Sequence, residues 1–434
     1  MAWPTVFENV AAVIVLMIDT FMVASLGRAA VAATGLTAQP KFFLMAPVFA
    51  LNAATGAIIA RKRGEGDRDK ANTAAKIILS LALGYSLVIG LLCIAFGSQI
   101  VELCGGNSDT STMATLYFKV NMGFLAFTSL TMMCSAIQRS MGNTKIAMYA
   151  HVASMVINVV FNYLLIYGHF GFPKLGVLGA ALATVLGTIV SFGIVFYSLK
   201  KQSLFINLGG LLKSKIREGH DILKSVLHLS TNFMSEDFIK RFSFLLIGIM
   251  AAKTGTEPFA AHQVGMSLLN LAFALGLGMQ VTSVTLAGNA IGQKNIPLAR
   301  TYTKNCLLSG LCLGLVAGLL IYFWGENFFA IYFTDVRFLS IGKGICQIVA
   351  FILPIQICQV VYSGSLRASG DIRYTLIAST ITLGVLNVAI DFVLTIVFDF
   401  GIQGIWIGTL AAQTTLAVMH LFRFSSNKWE KKKI

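Results

Sequence analysis

Twelve apolar stretches make up most of the chain. A stretch of about 20 apolar residues is long enough to span a bilayer as an α-helix. Of the 434 residues, 56% are hydrophobic and only 12% are charged, whereas soluble domains usually carry about 25% charge. The pattern predicts an all-α polytopic membrane protein with twelve transmembrane helices. The predicted helices cover residues 6–27, 38–60, 76–97, 113–137, 146–168, 175–198, 228–252, 262–290, 303–324, 338–363, 374–397 and 401–423.

The basic residues that give the chain its net charge of +15 lie mostly in the connections between the predicted helices. This distribution argues against a nucleic-acid partner. Connections after even-numbered helices, with the carboxy-terminal tail, hold most of the basic residues. These are Arg61, Lys62, Arg63, Arg68, Lys70, Arg139, Lys145, Lys200, Lys201, Lys213, Lys215, Arg217, Lys294, Arg300, Arg367, Arg373, Lys428, Lys431, Lys432 and Lys433. Basic loops stay on the cytoplasmic side, so we expect both termini in the cytoplasm, a location in the cell (inner) membrane, and anionic membrane lipids as partners.

The sequence motifs do not indicate an enzyme. The chain contains no H-E-x-x-H helix, no G-x-S-x-G elbow and no P-loop, and its seven cysteines include no C-x-x-C pair. We therefore expect no catalytic residue, no cofactor and no ATP-driven step.

An internal repeat relates the two halves at an offset of 228 residues. Gly27 then matches Gly255, and QRSMGNTK (138–145) matches LRASGDIR (366–373). Each half holds six helices, an even number, so the second half re-enters the membrane in the same orientation and the repeat is parallel. The expected domains are an amino-terminal lobe (1–199), a cytoplasmic linker (200–224), a carboxy-terminal lobe (225–424) and a basic tail (425–434).

Asp19 lies alone in the middle of the first apolar stretch. A carboxylate at that depth costs at least ~2.5 kcal/mol, and ionisable residues in membrane segments usually have a function. The residue therefore indicates ion-coupled transport. The alternative is a structural aspartate that joins two helices by hydrogen bonds.

Several phrases carry a family resemblance when they are taken in order. They are Asp19 followed by Gly27, the R-x-x-G-N-T-K turn at 139–145, NVVFNYLLIYG (158–168), GVLGAALAT (176–184), TGTEPFAAHQ (254–263) and LRASGD (366–371). Over nearly its whole length the chain resembles the multidrug and toxic compound extrusion family of cation-coupled antiporters. The resemblance implies a V-shaped, two-lobed bundle that exports amphipathic, often cationic, organic compounds against proton or sodium entry.

The resemblance also implies a cation-coupling site in the first lobe. Asp19 matches the family's first-helix carboxylate, Asn158 matches an asparagine of the same cluster, and Thr184 matches a hydroxyl on the sixth helix. Asn162 stands where many members carry aspartate. These side chains offer the oxygen ligands that Na⁺ prefers, whereas a proton needs only Asp19. We expect the coupling ion to be H⁺ in preference to Na⁺, while hydrogen bonding between helices remains the alternative role of the asparagines.

Two further groups of polar residues lie in the second half. Asn387 and Asp391 repeat the spacing of Asn158 and Asn162, which makes them a candidate polar site of the second lobe. In the seventh helix, Glu236 with Lys240 and Asp237 with Arg241 form i,i+4 pairs with the acid first, the favourable order. They are interpreted as a clamp at an inner gate or as a cargo or cation site.

These residues predict a secondary active antiporter that works by alternating access, with small organic molecules as cargo. The alternative is a flippase for lipid-linked saccharides from the same superfamily. The small number of deep cations, namely Lys240 and Arg241, argues against this alternative. We expect a monomer, because one chain already contains both lobes.

Overall fold

The computed structural model describes residues 2–104, 110–201, 204–214, 219–330 and 335–431, and within them the chain is helical with no strand. Parts of the predicted linker (202–203 and 215–218) and of the tail (432–434) lie outside the described residues. The α-helices are α1 (Ala2–Ala24), α2 (Arg28–Glu65), α3 (Arg68–Leu103), α4 (Ser111–Gly123), α5 (Leu125–Ser140), α6 (Thr144–Tyr167), α7 (Val177–Ser198), α8 (Leu208–Lys213), α9 (His220–Lys253), α10 (Thr256–Gly292), α11 (Ile296–Ala330), α12 (Val336–Ser369), α13 (Ile372–Ser379), α14 (Asn387–Phe392) and α15 (Gly401–Ser425).

Each of the twelve predicted stretches falls on helical structure, so the predicted helix order is confirmed. Two stretches are less regular than predicted. The fourth is divided into α4 and α5, and the eleventh comprises α13, a π-helical segment (Thr380–Leu386), α14 and a second π-helical segment (Val393–Val397). Most helices are also longer than predicted, because an apolar window ends where charged residues begin although the helix continues into them.

The lengths of the helices agree with a protein that crosses a membrane many times. In the part of the chain that the structure describes, ten single helices are long and apolar enough to span, and α4 with α5, bent by 45°, forms an eleventh. Helix α9 has 34 residues, and Glu236, Asp237, Lys240 and Arg241 interrupt its apolar sequence. The chain is an all-α polytopic membrane protein.

The internal repeat is visible in where the helices begin. The first residues of α2 and α10, Arg28 and Thr256, are 228 positions apart, as are those of α3 and α11 and those of α6 and α13. Gly27 and Gly255 precede α2 and α10 with φ angles of 105° and 113°. This conformation is accessible to glycine and unfavourable for other residues. The same backbone requirement therefore explains the glycine at both positions.

The chain forms two compact units. The first comprises Val10–Ser230, and the second comprises Ala2–Asn9 and Thr231–Ile434. In the second unit the hydroxyl of Thr5 donates to the carbonyl of Gly278 at 3.3 Å and lies 3.1 Å from the hydroxyl of Thr282. The first two turns of α1 thus pack on α10.

The described part of the predicted linker is bound to α3 in the first unit. Arg68 donates to the carbonyls of Leu204 and Phe205, and the Lys76 ammonium donates to the carbonyl of Ser214 at 2.6 Å. Asn207 caps α8 by accepting from the backbone of Gly210. Residues 204–214 are therefore a structured part of this unit.

The start of the carboxy-terminal tail folds back on the second unit. Trp429 is 1% exposed, its indole donates to the carbonyl of Phe424 at 2.7 Å, and its ring stacks on Phe424 with centroids 4.9 Å apart. Arg300 donates to Asn427 at 2.5 Å and pairs with Glu430. These contacts hold the residues up to Lys431 against α11 and α15.

Trp429→Ala should therefore destabilise the second unit, because truncation of a buried tryptophan costs about 3 kcal/mol or more. Thermal unfolding of the purified protein in detergent measures the effect, and Lys428→Ala, an exposed neighbour, is the control. Equal unfolding temperatures for the two variants would contradict the assigned packing.

Candidate sites in the two units

The four residues predicted for the first lobe are joined by hydrogen bonds. The amide of Asn162 donates to the Asp19 carboxylate at 2.5 Å and lies 3.3 Å from the side-chain oxygen of Asn158. The Asn158 amide in turn donates to the hydroxyl of Thr184 at 3.2 Å, and that hydroxyl donates to the carbonyl of Ala180 at 3.0 Å. Helices α1, α6 and α7 thus bring all four side chains into one chain of hydrogen bonds, which we call the Asp19 chain.

The Asp19 chain retains free capacity for a cation. Asn158 and Asn162 are buried and Asp19 is half-buried, and the side-chain oxygen of Asn162 has no hydrogen-bond partner among the described residues. Carboxylate, amide and hydroxyl oxygens are hard ligands that suit a small cation. The group could hold either one proton on Asp19 or one sodium ion.

A cavity of about 110 Å³ adjoins the Asp19 chain at Thr184. Its lining combines polar side chains with aromatic and other apolar ones: Lys41, Met45, Asn121, Met122, Phe124, Leu125, Phe127, Thr128, Thr184, Val185 and Thr188. Lys41 also interacts electrostatically with Asp19. The sequence reasoning missed Lys41, although the signal was available, since it is a charged residue inside a predicted helix (38–60).

In the second unit, α14 carries both residues of the predicted polar site. Asn387 and Asp391 are 2% and 0% exposed. Neither carboxylate oxygen of Asp391 has a hydrogen-bond partner in the described ranges, and the same holds for the side-chain oxygen of Asn387. Asp391 lies directly against Gly408 of α15, where an added Cβ atom would collide with its Oδ1.

The backbone around this site is unusual, because π-helical segments lie immediately before and after α14. Such segments are rare and frequently occur at functional sites. The sequence carried no signal for them.

Glu236 of α9, in contrast, has three donors on one of its two carboxylate oxygens. Its Oε1 accepts from Lys240 at 2.7 Å, from Arg367 of α12 at 2.7 Å and from Ser379 of α13 at 3.0 Å. The predicted pair with Lys240 is confirmed, whereas the sequence reasoning missed Arg367 and Ser379 as partners. Glu236 is 1% exposed and joins three helices of the second unit.

The second predicted pair has a different environment. Arg241 donates to Asp237 at 2.6 Å, which confirms the pairing, but their side chains are 42% and 38% exposed. The two pairs on α9 are therefore one buried and one exposed version of the same i,i+4 contact. In the described residues, no hydrogen bond joins either pair to Asp391.

A family model named MatE matches residues 4–164 and 234–393, which together are most of the chain. The chain belongs to the MatE family, the multidrug and toxic compound extrusion family that its motifs resemble. The two matched segments each cover most of one half, in agreement with the repeat.

Curated relatives match over the full length. A Thermotoga maritima protein described as "Probable multidrug resistance protein NorM" is 26% identical over 438 residues, covering 100% of this chain and 93% of that protein. The "Uncharacterized transporter YisQ" of Bacillus subtilis is 22% identical and covers 100% of this chain and 94% of its own length.

Solved structures share the fold. A structure titled as the outward-facing conformation of a multidrug resistance MATE family transporter has a TM-score of 0.90 at 19% identity, covering 99% of this chain and 95% of that one. A MATE structure in the straight conformation has a TM-score of 0.89 at 20% identity, with the same coverage.

The two acid pairs on α9 should differ in their effect on stability. Glu236→Gln removes the buried counter-charge of two half-buried cations, and breaking a buried ion pair costs up to about 3–5 kcal/mol. Asp237→Asn instead breaks an exposed pair worth about 0–1 kcal/mol. Thermal unfolding in detergent compares the variants. Similar losses for both would contradict the role of Glu236 as a buried connection between three helices.

Gly408→Ala should destabilise the protein, because the added methyl group collides with Asp391 and overpacking costs about 1–3 kcal/mol. In an Asp391→Ala background the collision is removed and the cost should largely disappear. A double-mutant cycle on unfolding free energies measures this coupling. Equal costs in the two backgrounds would show that the contact does not determine the packing of α14 on α15.

Proposed function

We propose that this protein is a secondary active antiporter that exports amphipathic, often cationic, organic compounds in exchange for protons or sodium ions. Membership of the MatE family and full-length relatives described as multidrug resistance proteins support this class of function. The observation that carries the proposal is the Asp19 chain, which holds a carboxylate at membrane depth with one amide donor.

Coupling requires that the ion and the cargo favour different states of the protein, since a ligand that binds two states equally shifts neither. A cation that neutralises Asp19 removes the one negative charge of the Asp19 chain. Cationic cargo nearby then loses its electrostatic attraction and leaves. The same carboxylate therefore serves ion and cargo in alternation.

We propose the proton as the preferred coupling ion and sodium as the alternative. A proton needs only the carboxylate of Asp19, whereas sodium also needs oxygens from Asn162, Asn158 and Thr184. Export driven by an imposed pH gradient, compared with export driven by an imposed sodium gradient, distinguishes the two ions.

The proposed setting is the cell (inner) membrane, with both termini in the cytoplasm and a monomer as the working unit. The basic residues at the connections after even-numbered helices support this orientation.

Asp19→Asn should abolish gradient-driven uptake of a dye that carries a cationic group into inverted vesicles, because the amide keeps the size of the side chain and loses its charge. Asp69→Asn, which changes an exposed acid in the first turn of α3, is the matched control and should export normally. Wild-type export rates for Asp19→Asn under the same gradient would refute the coupling role.

A further inference from the structure

Lys41 is a second ionisable residue at membrane depth in the first unit. It lies in α2, thirteen residues after the helix begins at Arg28, is half-buried, and lines the cavity beside the Asp19 chain. A lysine in the hydrocarbon region costs free energy, and residues of this kind usually face a cavity and have a function.

The ammonium of Lys41 has no hydrogen bond or ion pair with any other described residue, although the carboxylate of Asp19 is near enough for an electrostatic interaction. A lysine ammonium carries three donors and no acceptor. All three are thus available to a molecule that enters the cavity. This distinguishes Lys41 from Lys240, whose ammonium is bound to Glu236 at 2.7 Å.

The remaining lining of the cavity suits an amphipathic compound with a polar end. Thr188 and Asn121 offer polar side chains, while Met45, Phe124 and Phe127 offer apolar surface. The Asp19 chain reaches this cavity at Thr184. A compound in the cavity therefore meets one positive charge directly and one negative charge nearby.

We propose that Lys41 is a specificity-determining residue that binds an acidic group, foremost a carboxylate, on the transported compound. The inference rests on the proposed function and narrows its cargo to compounds that carry an acidic group beside the cationic one. A compound with only a cationic group leaves the Lys41 charge unpaired and is repelled by it. A compound with both groups pairs with Lys41 and with Asp19.

This arrangement preserves exchange between cargo and coupling ion. When a proton or sodium ion neutralises Asp19, the cationic group of the cargo loses its partner while the acidic group still faces Lys41. The compound then holds one of its two ionic contacts and its affinity falls. Lys41 selects the cargo, and Asp19 couples its release to the ion.

The test compares two ligands that differ only in the acidic group, 4-(aminomethyl)benzoate and its methyl ester. At neutral pH the amine of the acid form is protonated, so this ligand has both charges, and the ester retains only the cationic one. Dissociation constants are measured by calorimetric titration of the purified full chain in phosphatidylcholine nanodiscs. The wild-type protein should bind the acid about tenfold tighter than the ester, the usual effect of one charge-assisted hydrogen bond.

Three variants assign the preference to one residue. Lys41→Met should bind the two ligands equally, and Lys41→Arg should keep the preference because it keeps the charge. Lys119→Met is the matched control, since it removes a lysine of α4 that packs over Gly97 and is absent from the cavity lining; it should behave as the wild type. Binding of the ester by Lys41→Met shows that this variant is folded.

Equal affinities of the wild-type protein for the two ligands, no binding of either, or a preference that persists in Lys41→Met would each overturn the proposal. In the last case Lys41 acts only as a counter-charge to Asp19. Gradient-driven uptake of 4-(aminomethyl)benzoate into inverted vesicles is measured separately on the wild type. Its absence would refute the antiporter function, while the ligand preference would still be decided by the titrations.

Discussion

A bilayer core contains no water to bind an unpaired backbone amide or a lone carboxylate, so polar groups there must find partners inside the protein. This constraint makes the described chain helical, because a helix satisfies its own backbone. It also governs the side chains. Asp19 is tolerated in α1 because Asn162 of α6 donates to it, and this hydrogen bond joins two helices that are far apart in sequence.

The buried acids of the second unit meet the same constraint in different ways. Glu236 accepts from three donors on three helices, which makes it a fixed connection. Asp391 has no partner for its carboxylate in the described residues and is enclosed by the bare backbone of Gly408. Asp19 lies between these extremes, with one amide donor and a cation nearby. An acid with few donors retains capacity to exchange a cation, whereas an acid already paired with two cations, as Glu236 is with Lys240 and Arg367, does not.

Much of the fold could be predicted because its determinants are local in sequence. Apolar length locates the helices, the repeat locates their starts, and i,i+4 spacing pairs Glu236 with Lys240. The four residues of the Asp19 chain were also predicted to lie together, with the help of the family resemblance. Lys41 was missed although its signal was local. Arg367 and Ser379 were missed as partners of Glu236 because their contact with it joins helices more than 100 residues apart.

The sequence by itself determined the membrane-spanning class, the twelve helices, the two repeated halves and the polar residues that cannot face lipid, because each follows from hydrophobicity and spacing along the chain. Only the tertiary structure decided which of those polar residues meet. It joined Asp19 to Asn162, gave Glu236 donors from two other helices, enclosed Asp391 against Gly408 and placed Lys41 in a cavity. The physical reason is that these contacts depend on the packing of distant helices, which local pattern does not specify.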